Sequence, residues 1–366
     1  VMEQTKKPLP GAVLLLAALG FVLGTCEFVI VGILPEIAEG LNTSLAAVGK
    51  LVSVFAACYA VGTPVITAAT GGISRRKLLA VLMGVFLLTS AASFAAPNVA
   101  VLYATRVVAA LVSGTLTAVA MIYAKEVAPE QTARAISLVY GGFSVAAVLG
   151  VPLGTAVCQI LGWRWTFAVI LAMGAALLPL LLRSLPAVPA QSDIGLLKFF
   201  SILWYPRCSL CVGMILCSAS ATYIVYTYLS PILTETLGLP AGAVSPLLLV
   251  MGACSAASNL ISGRLGERGG LRTLPMAFAA QAVLFALLPL LLGNRWAGLA
   301  GVFAMGLLMH LLNTPVQMHA LCLAEQDYPF ASSLCASVQP VSYNFGIAIG
   351  SFIGSAVQEG WGFRPL

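Results

Sequence analysis

The chain has 366 residues, of which 60% are hydrophobic and only 8% are charged, and its mean hydropathy is +1.02. Soluble domains carry about a quarter of their residues as charged side chains, so this composition excludes a soluble protein. The net charge of +6 is spread over short loops, with no basic domain to gather it, which argues against binding to nucleic acid.

Apolar runs near 20 residues long recur along the whole chain, and each is long enough to cross about 30 Å of hydrocarbon. They predict an all-α polytopic membrane protein with eleven spanning helices. The expected spans are 11–34, 46–70, 78–96, 99–123, 136–159, 166–183, 208–232, 243–263, 274–293, 297–320 and 332–357. The sequence ends at Pro365-Leu366, where another crossing would be due, so we expect a twelfth helix to be missing.

Lysine and arginine are unequally distributed between the two sides of the membrane. Apart from Arg106, which lies within a span, thirteen are on the side of the amino terminus and four are on the other side. Cytoplasmic loops carry an excess of these residues, so the amino terminus is expected in the cytoplasm.

A change of composition divides the chain into two halves. Residues 184–200 form its longest weakly hydrophobic interval and separate six helices from five. We therefore predict an N-terminal six-helix bundle over 1–183, a cytoplasmic linker over 184–200 and a C-terminal bundle over 201–366.

The two halves resemble each other in sequence. ILPEIAEGLNTSLAAVGKL at 33–51 and LSPILTETLGLPAGAVSPL at 229–247 align at a single offset, which pairs Pro35 with Pro231 and Leu41 with Leu237. Parallel repeats of this size are typical of transporters whose substrate site lies between the halves, near the bilayer midplane.

Four passages make a more specific resemblance. They are GTCEFVIVGILPEIA on the first helix, YATRVVAALVSGT on the fourth, LGVPLGTAVCQILGWRWTF from the fifth into the sixth, and YTYLSPILTETLGL leaving the seventh. In their content, order and spacing, the chain resembles the major facilitator superfamily. Within it, the chain resembles the bacterial drug:proton antiporter branch, which includes sugar-efflux, purine-nucleoside-efflux and chloramphenicol-efflux transporters.

This resemblance implies a fold of two pseudo-symmetric six-helix bundles in the bacterial cytoplasmic (inner) membrane. It also implies export of a small organic molecule in exchange for protons by alternating access, with a function in drug resistance. Proton-coupled uptake, or facilitated diffusion, is the alternative within transport.

Glu27 lies inside the apolar first span, where an acid costs about 2.5–3.5 kcal/mol by insertion scales. One interpretation is a neutral carboxyl in a packed interface, since Gly20 and Gly24 form a small-residue ridge on the same face. The other is a functional acid, because intramembrane acids usually serve relays or bind ligands. The resemblance implies a role in proton coupling or substrate binding.

Arg106 on the fourth helix is the expected partner of Glu27. Counting about 1.5 Å per residue places both roughly 10 Å below the outer interface. We expect an ion pair that protonation of Glu27 would break, so that substrate and proton compete. The alternative is an arginine that reaches the outer headgroups. The resemblance links the fourth-helix arginine to proton coupling.

A glycine- and proline-rich segment on the fifth helix resembles the antiporter motif of the family. Gly141, Gly150, Pro152 and Gly154 predict a kinked, smooth surface on which helices of opposite halves pack closely. We expect this surface to seal the gap on the inner side. Ordinary glycine packing is the alternative.

Two basic turns resemble the loop motif between the second and third helices of the family. The second copy carries Gly263, Glu267, Arg268 and Arg272. In the first copy, Ser74 stands where an acid is expected, so Arg75 and Arg76 either take part in gating or only set the topology.

Polar and aromatic side chains at helical spacing are candidates for the wall of a substrate cavity. These candidates are Tyr59, Ser113, Thr117, Thr222, Tyr226, His310, Asn313, Gln317, Gln339, Tyr343 and Asn344. They suit an uncharged or weakly charged ligand that is planar or rich in hydroxyls. Ordinary hydrogen bonding between helices is the alternative for each of them.

Other classes of function lack their sequence signatures. The chain has no HExxH motif, nucleophile elbow or paired intramembrane aspartates, so we expect no enzyme activity. It has no phosphate loop, which excludes primary pumping by this chain, and a receptor or sensor would not need the repeat. We therefore expect a monomer in the lipid bilayer, with protons and a small molecule as partners, and no cofactor or metal.

Overall fold

The structure is a computed structural model that describes residues 10–70, 72–188, 206–268, 274–312, 315–316, 319 and 332–361. The described residues form helices and contain no strand. The helices are α1 Gly11–Phe28, α2 Ile30–Gly40, α3 Leu45–Ala69, α4 Arg75–Phe94, α5 Val99–Val127, α6 Thr132–Val145, α7 Val151–Leu161, α8 Trp163–Ser184, α9 Pro206–Tyr226, α10 Val244–Arg268, α11 Leu274–Leu291, α12 Arg295–Leu308 and α13 Ser332–Trp361. Most of the predicted linker 184–200 lies outside the described residues, so the domain bounds stay predictions.

The predicted membrane spans agree with the helices. Within the described ranges, nine helical segments are long and apolar enough to cross a membrane. The two remaining predicted spans correspond to α12 and α13. The prediction of an all-α polytopic membrane protein is therefore confirmed, with ends that shift by a few residues in most spans.

Four of the predicted continuous spans are interrupted, and in the seventh the break lies at Thr227 and Tyr228, between α9 and the short helix Leu229–Pro231. The first is divided at Val29 between α1 and α2, and Ile33 has non-helical backbone angles (φ −126°, ψ 17°). The fifth contains a π-helical segment, Ala146–Gly150, between α6 and α7. The tenth, predicted to continue to residue 320, leaves the helical conformation after Leu308. Such interruptions frequently lie at functional sites.

Close packing of small residues joins α1 to α6. A Cβ on Gly20 would lie 2.6 Å from the main-chain oxygen of Val139, and one on Gly24 would lie 2.9 Å from the Cβ of Ala146. The predicted glycine ridge of α1 is therefore a helix–helix contact within the N-terminal half.

The two halves meet mainly through α3 against α13 and through α7 and the π-helical segment against α10. Lys50 Nζ lies 3.0 Å from Glu359 Oε2 across the first contact. Ser245 Oγ donates to the Pro152 carbonyl at 2.8 Å across the second. Chain connectivity places these contacts at one end of the molecule, here called the Lys50 end, and the turn before α4 at the opposite end, here called the Arg75 end.

The predicted role of the fifth-helix glycines needs correction. Cβ atoms on Gly150 and Gly154 would meet Thr25 and Val29 of the same half, and one on Gly141 would meet nothing within 4 Å. The close approach between halves comes from Gly252 of α10, whose Cβ would lie 2.5 Å from Val148 Cα. The glycine face of α7 is not available for this contact because it already packs against the joint between α1 and α2.

Candidate functional site

A small cavity lies where the two halves meet, and Glu27 is in its wall. The N-terminal half contributes α1, α2 and α3, and the C-terminal half contributes α9 and α13. Its lining residues are Glu27, Phe28, Val31, Val52, Phe55, Ala56, Tyr223 and Ile347. The volume of this cavity, here called the Glu27 cavity, is about 10 Å³, which is room for about one water molecule.

Glu27 lies in the last turn of α1, just before the joint at Val29, and only 9% of it is exposed. Arg106, Tyr59, Tyr223 and Tyr343 all lie within its electrostatic reach. One cation and three phenols, which come from both halves, are therefore near enough to act electrostatically on the carboxyl group.

Arg106 is one of the most completely buried side chains, with 1% exposed. Its Nη1 donates to the Cys26 carbonyl at 2.7 Å and to Cys26 Sγ at 3.2 Å. Its Nη2 donates to the Glu27 carbonyl at 3.4 Å. The guanidinium also lies 4.1 Å from the centre of the Phe55 ring, which is a cation–π contact.

The predicted ion pair between the Glu27 and Arg106 side chains is therefore wrong for this structure. No nitrogen of Arg106 lies within 4.0 Å of a Glu27 carboxylate oxygen, and both side chains are among those described. The reason is the joint at Val29: the last carbonyls of a helix need donors, and Arg106 supplies them from the neighbouring helix. The two residues do lie close together in depth, as the sequence predicted.

The predicted polar stripe of the N-terminal half is only partly available to a ligand. Ser113 Oγ donates to the Ala109 carbonyl at 2.7 Å, and Thr117 Oγ1 donates to the Ser113 carbonyl at 2.9 Å. Tyr59 is buried, makes a polar contact with Thr117 and lies 6.5 Å from Phe55 between ring centres. Tyr59 therefore belongs to the surroundings of Glu27.

In the C-terminal half, several predicted residues form one aromatic cluster. Tyr223 contacts Tyr226 and Tyr343 edge to face, with ring centres 5.2 Å and 6.0 Å apart. His310 Nδ1 lies 3.4 Å from the Tyr343 hydroxyl. Thr222 is buried and donates to the Ser218 carbonyl at 2.9 Å, so its hydroxyl is used within its own helix.

Some predicted residues are not brought into this cluster. Asn344 is 6% exposed and makes no contact with the Glu27 cavity that the structure describes. Gln339 lies in α13, but its side chain is outside the described residues, as are Asn313 and Gln317.

Three polar side chains brace the interruption of the tenth span. Gln281 Nε2 donates to the Leu308 carbonyl at 2.9 Å, Ser262 Oγ donates to the Leu311 carbonyl at 3.0 Å, and the His310 N–H donates to Ser258 Oγ at 3.0 Å. Within hydrocarbon every main-chain polar group needs such a partner. Hydrogen bonds from neighbouring helices therefore stabilise the interruption, and His310 lies beside Tyr343 there.

The basic turn before α4 is fixed to the N-terminal half. Arg75 is 4% exposed, and its main-chain N–H donates to the Val188 carbonyl at 3.1 Å. Arg76 donates through Nη2 to the Leu182 carbonyl. Of the second turn, Gly263, Glu267 and Arg268 lie near the end of α10, where the structure describes only the backbone, and Arg272 lies outside the described residues altogether.

Phe55 and Tyr223 are not predictable as site residues from the sequence, although both line the Glu27 cavity. Aromatic residues in an apolar run carry no polar signal that separates a cavity wall from lipid-facing packing. Helical spacing offered one indication, since Phe55 precedes Tyr59 by four residues and Tyr223 precedes Tyr226 by three.

Comparison with known sequences identifies the family of the chain. Residues 16–333 match the sequence profile of the Major Facilitator Superfamily. The uncharacterized MFS-type transporter YtbD of Bacillus subtilis is 33% identical over 369 residues, covering 99% of this chain and 92% of that protein. The inner membrane transport protein YdhP of Escherichia coli K12 is 29% identical over 358 residues, covering 96% of this chain and 91% of that protein.

Solved structures show the same fold at low sequence identity. A bacterial homolog of the human lysosomal transporter Spinster, in an inward-facing and occupied conformation, has a TM-score of 0.73 and 16% identity, covering 95% of this chain and 82% of that one. The nucleoside transporter NupG has a TM-score of 0.72 and 15% identity, covering 96% and 91%. A D-xylose-proton symporter has a TM-score of 0.70 and 16% identity, covering 95% and 90%.

Proposed function

The chain belongs to the major facilitator superfamily and is a membrane transporter, and we propose that it exports a small organic molecule in exchange for protons. The observation that carries the proposal is the position of Glu27, a buried acid on a cavity whose walls come from both halves. The surroundings of a group in that position change whenever the halves move relative to each other. We place the protein in the bacterial cytoplasmic membrane as a monomer, with its amino terminus in the cytoplasm.

The proposed role of Glu27 follows from the cost of an unpaired charge in a low-dielectric surrounding. Its carboxylate lacks the ion pair with Arg106 within the part of the chain that the structure describes. A proton on the carboxyl removes that cost, and so does a substrate that donates hydrogen bonds or carries positive charge. Proton and substrate then compete for one group, which is the condition for exchange.

Arg106 takes a different part in this proposal from the one the sequence predicts. It fixes the joint between α1 and α2 by binding the Cys26 and Glu27 carbonyls, and it forms no ion pair with Glu27, which lies in the wall of the cavity. Its positive charge still acts on Glu27 through space. Arg106 therefore positions the acid and moderates its charge.

The Lys50 end is closed in this structure, which agrees with one end state of alternating access. With the cytoplasmic amino terminus that we propose, this is the end facing outward. The contacts Lys50–Glu359, Ser245–Pro152 and Gln159–Ala241 then form the outer closure between the halves.

Proton-coupled uptake is the second candidate, and one fold neighbour is a D-xylose-proton symporter. In uptake, substrate and proton bind together and move in the same direction. We favour exchange because a single acid that faces the cavity gives competition between the two, and because the fifth-helix motif resembles that of antiporters.

The experiment uses purified protein in liposomes that contain a pH-sensitive dye. Nucleosides, sugars, amphenicols and cationic dyes are added in turn, and proton movement into or out of the lumen is recorded. Exchange predicts that a transported compound drives protons in the opposite direction to its own movement. Glu27→Gln abolishes this movement, whereas Glu39→Gln, which changes an exposed acid at the end of α2, leaves it intact.

Two results contradict the proposal. Proton movement in the same direction as the substrate shows symport, and full proton movement in Glu27→Gln removes this residue from the coupling step.

A further inference from the structure

His310 lies at the interruption of the tenth span. An ionisable side chain is costly inside a membrane span, so such a residue is a candidate for a function. Its main-chain N–H donates to Ser258 Oγ at 3.0 Å, which holds the residue at the end of the helix. Its ring lies 5.9 Å from that of Tyr343, centre to centre, and Nδ1 lies 3.4 Å from the Tyr343 hydroxyl. Discontinuous helices in transporters commonly carry substrate and ion sites.

A row of polar side chains leads from His310 to Glu27. The Tyr343 and Tyr223 rings are in edge-to-face contact, with their centres 6.0 Å apart. Tyr223 lines the Glu27 cavity together with Glu27 itself. The cavity has room for about one water molecule, which is enough to bridge a carboxyl and a phenol.

We propose that His310 is a second proton-carrying group of the transport cycle, linked to Glu27 through the hydroxyl groups of Tyr223 and Tyr343. This inference rests on the proposed proton-coupled function. It places one ionisable group in each half of the molecule and joins them where the halves meet.

The proton transfer needs no further reactant. The O–H bond of the Glu27 carboxyl breaks and an N–H bond forms on the His310 imidazole. In between, the water that bridges Glu27 and Tyr223 and then each tyrosine accept one proton and give up one, so the water and both phenols end the step neutral. The products are a carboxylate in the N-terminal half and an imidazolium in the C-terminal half.

The ionisable groups that face this row come from several helices. Near Glu27 they are Arg106 from α5, Tyr59 from α3 and Cys26 from α1. Near His310 they are Tyr343 from α13, with Tyr223 and Tyr226 from α9 behind it. Helices α10 and α11 contribute the neutral groups Ser258 and Gln281. Arg106 is thus the one charged neighbour of the row among the described residues.

The test uses the fact that the chain has only two histidines, His310 and His319. Protein labelled with ¹⁵N-histidine is placed in lipid nanodiscs, and the imidazole signals are followed by NMR from acid to alkaline pH. His319→Gln assigns the His310 signal. The measured quantity is the change that Glu27→Gln makes in the titration midpoint of His310, since interacting sites titrate together.

We expect Glu27→Gln to move the His310 midpoint by about one pH unit or more, the order at which two sites titrate as a pair. Tyr343→Phe keeps the ring and the distances but removes the hydroxyl, so it should remove at least half of this change. Tyr226→Phe is the matched control: Tyr226 packs on Tyr223 beside the row, and its loss should leave the change intact. Tyr223→Phe repeats the test if Tyr343→Phe does not fold.

Two outcomes overturn the inference. One is a His310 midpoint that is the same in wild type and Glu27→Gln. The other is an effect of Glu27→Gln that is equally large in the Tyr343→Phe background, which shows a through-space field alone.

A transport measurement separates this inference from the proposed function. In the liposome assay, His310→Gln should alter the pH profile of substrate-driven proton movement while Glu27 is intact, and an unchanged profile contradicts a proton-carrying role. Failure of Glu27→Gln to affect proton movement contradicts the proposed function instead, whatever the NMR coupling shows.

Discussion

Arg106 and Glu27 differ sharply in what they should contribute to stability, although both are buried and ionisable. If the two side chains formed a buried ion pair, removing either partner would cost about 3–5 kcal/mol. In the structure, Arg106 instead binds the Cys26 carbonyl at 2.7 Å and stacks on Phe55 at 4.1 Å. The effects of Arg106→Gln and Glu27→Gln on stability therefore distinguish a buried ion pair from the contacts of Arg106 with Cys26 and Phe55.

The expected magnitudes follow from the contacts of Arg106. A hydrogen bond from a charged donor is worth about 1.5–3 kcal/mol, and a desolvated cation–π contact about 2 kcal/mol. Arg106→Gln should therefore lower the free energy of unfolding by about 3–5 kcal/mol. Glu27→Gln removes none of these contacts and should change it by less than about 1 kcal/mol, within the range of substitutions that break no contact.

The assay is reversible unfolding in mixed micelles, driven by increasing mole fractions of sodium dodecyl sulfate. Phe55→Leu in the wild-type and Arg106→Gln backgrounds isolates the cation–π contribution by a double-mutant cycle. Arg106→Lys tests the geometry, since lysine keeps the charge but lacks the planar fork that reaches the Cys26 and Glu27 carbonyls together. A loss in Glu27→Gln as large as that in Arg106→Gln would refute the reasoning, because it would mean that the carboxylate holds the arginine.

Two further predictions concern the contact between halves and the effect of pH. Gly252→Ala should lower the melting temperature, with a cost of about 1–3 kcal/mol, because its Cβ would lie 2.5 Å from Val148 Cα; Gly141→Ala, with nothing within 4 Å, is the control that should change little. Glu36 lies beyond the end of the first predicted span, and burial raises its pKa. The folded state is therefore less stable when Glu36 is ionised. The free energy of unfolding falls as the pH rises through the folded-state pKa of Glu36. Glu36→Gln should have a higher melting temperature than wild type at pH 8 but not near pH 4. If the variant and the wild type had equal melting temperatures at both pH values, this prediction would be contradicted.

The sequence predicts the spans well because the bilayer imposes a length and a hydropathy that each span must meet. It does not predict the interruptions. The break after Leu308 depends on Gln281, Ser258 and Ser262, which come from α10 and α11, more than 25 residues away. Hydropathy along one segment contains no information about such partners, so the tenth span reads as continuous.

The candidate site, too, is only partly predictable from the sequence. Glu27 and Tyr59 are predictable because polar groups inside apolar spans are conspicuous. The pairing of Glu27 with Arg106 is mispredicted because a rise of about 1.5 Å per residue gives the depth of a residue but not the direction of its side chain. The joint at Val29 exposes carbonyls of α1 that compete for Arg106, and a regular helix would not have done so.

The two interruptions beside the ionisable groups are each supported from within one half. The joint at Val29 is held by Arg106 of the N-terminal half, and the break after Leu308 is held by Gln281 and Ser258 of the C-terminal half. A relative movement of the halves therefore leaves both supports intact. It changes instead the Glu27 cavity, where Tyr223 of one half faces Glu27 of the other. The proposed link between Glu27 and His310 then exists only while the halves are in contact through α3 and α13. Opening of the Lys50 end would break this link, and the proton would stay on the residue that carries it at that moment, in one half of the molecule.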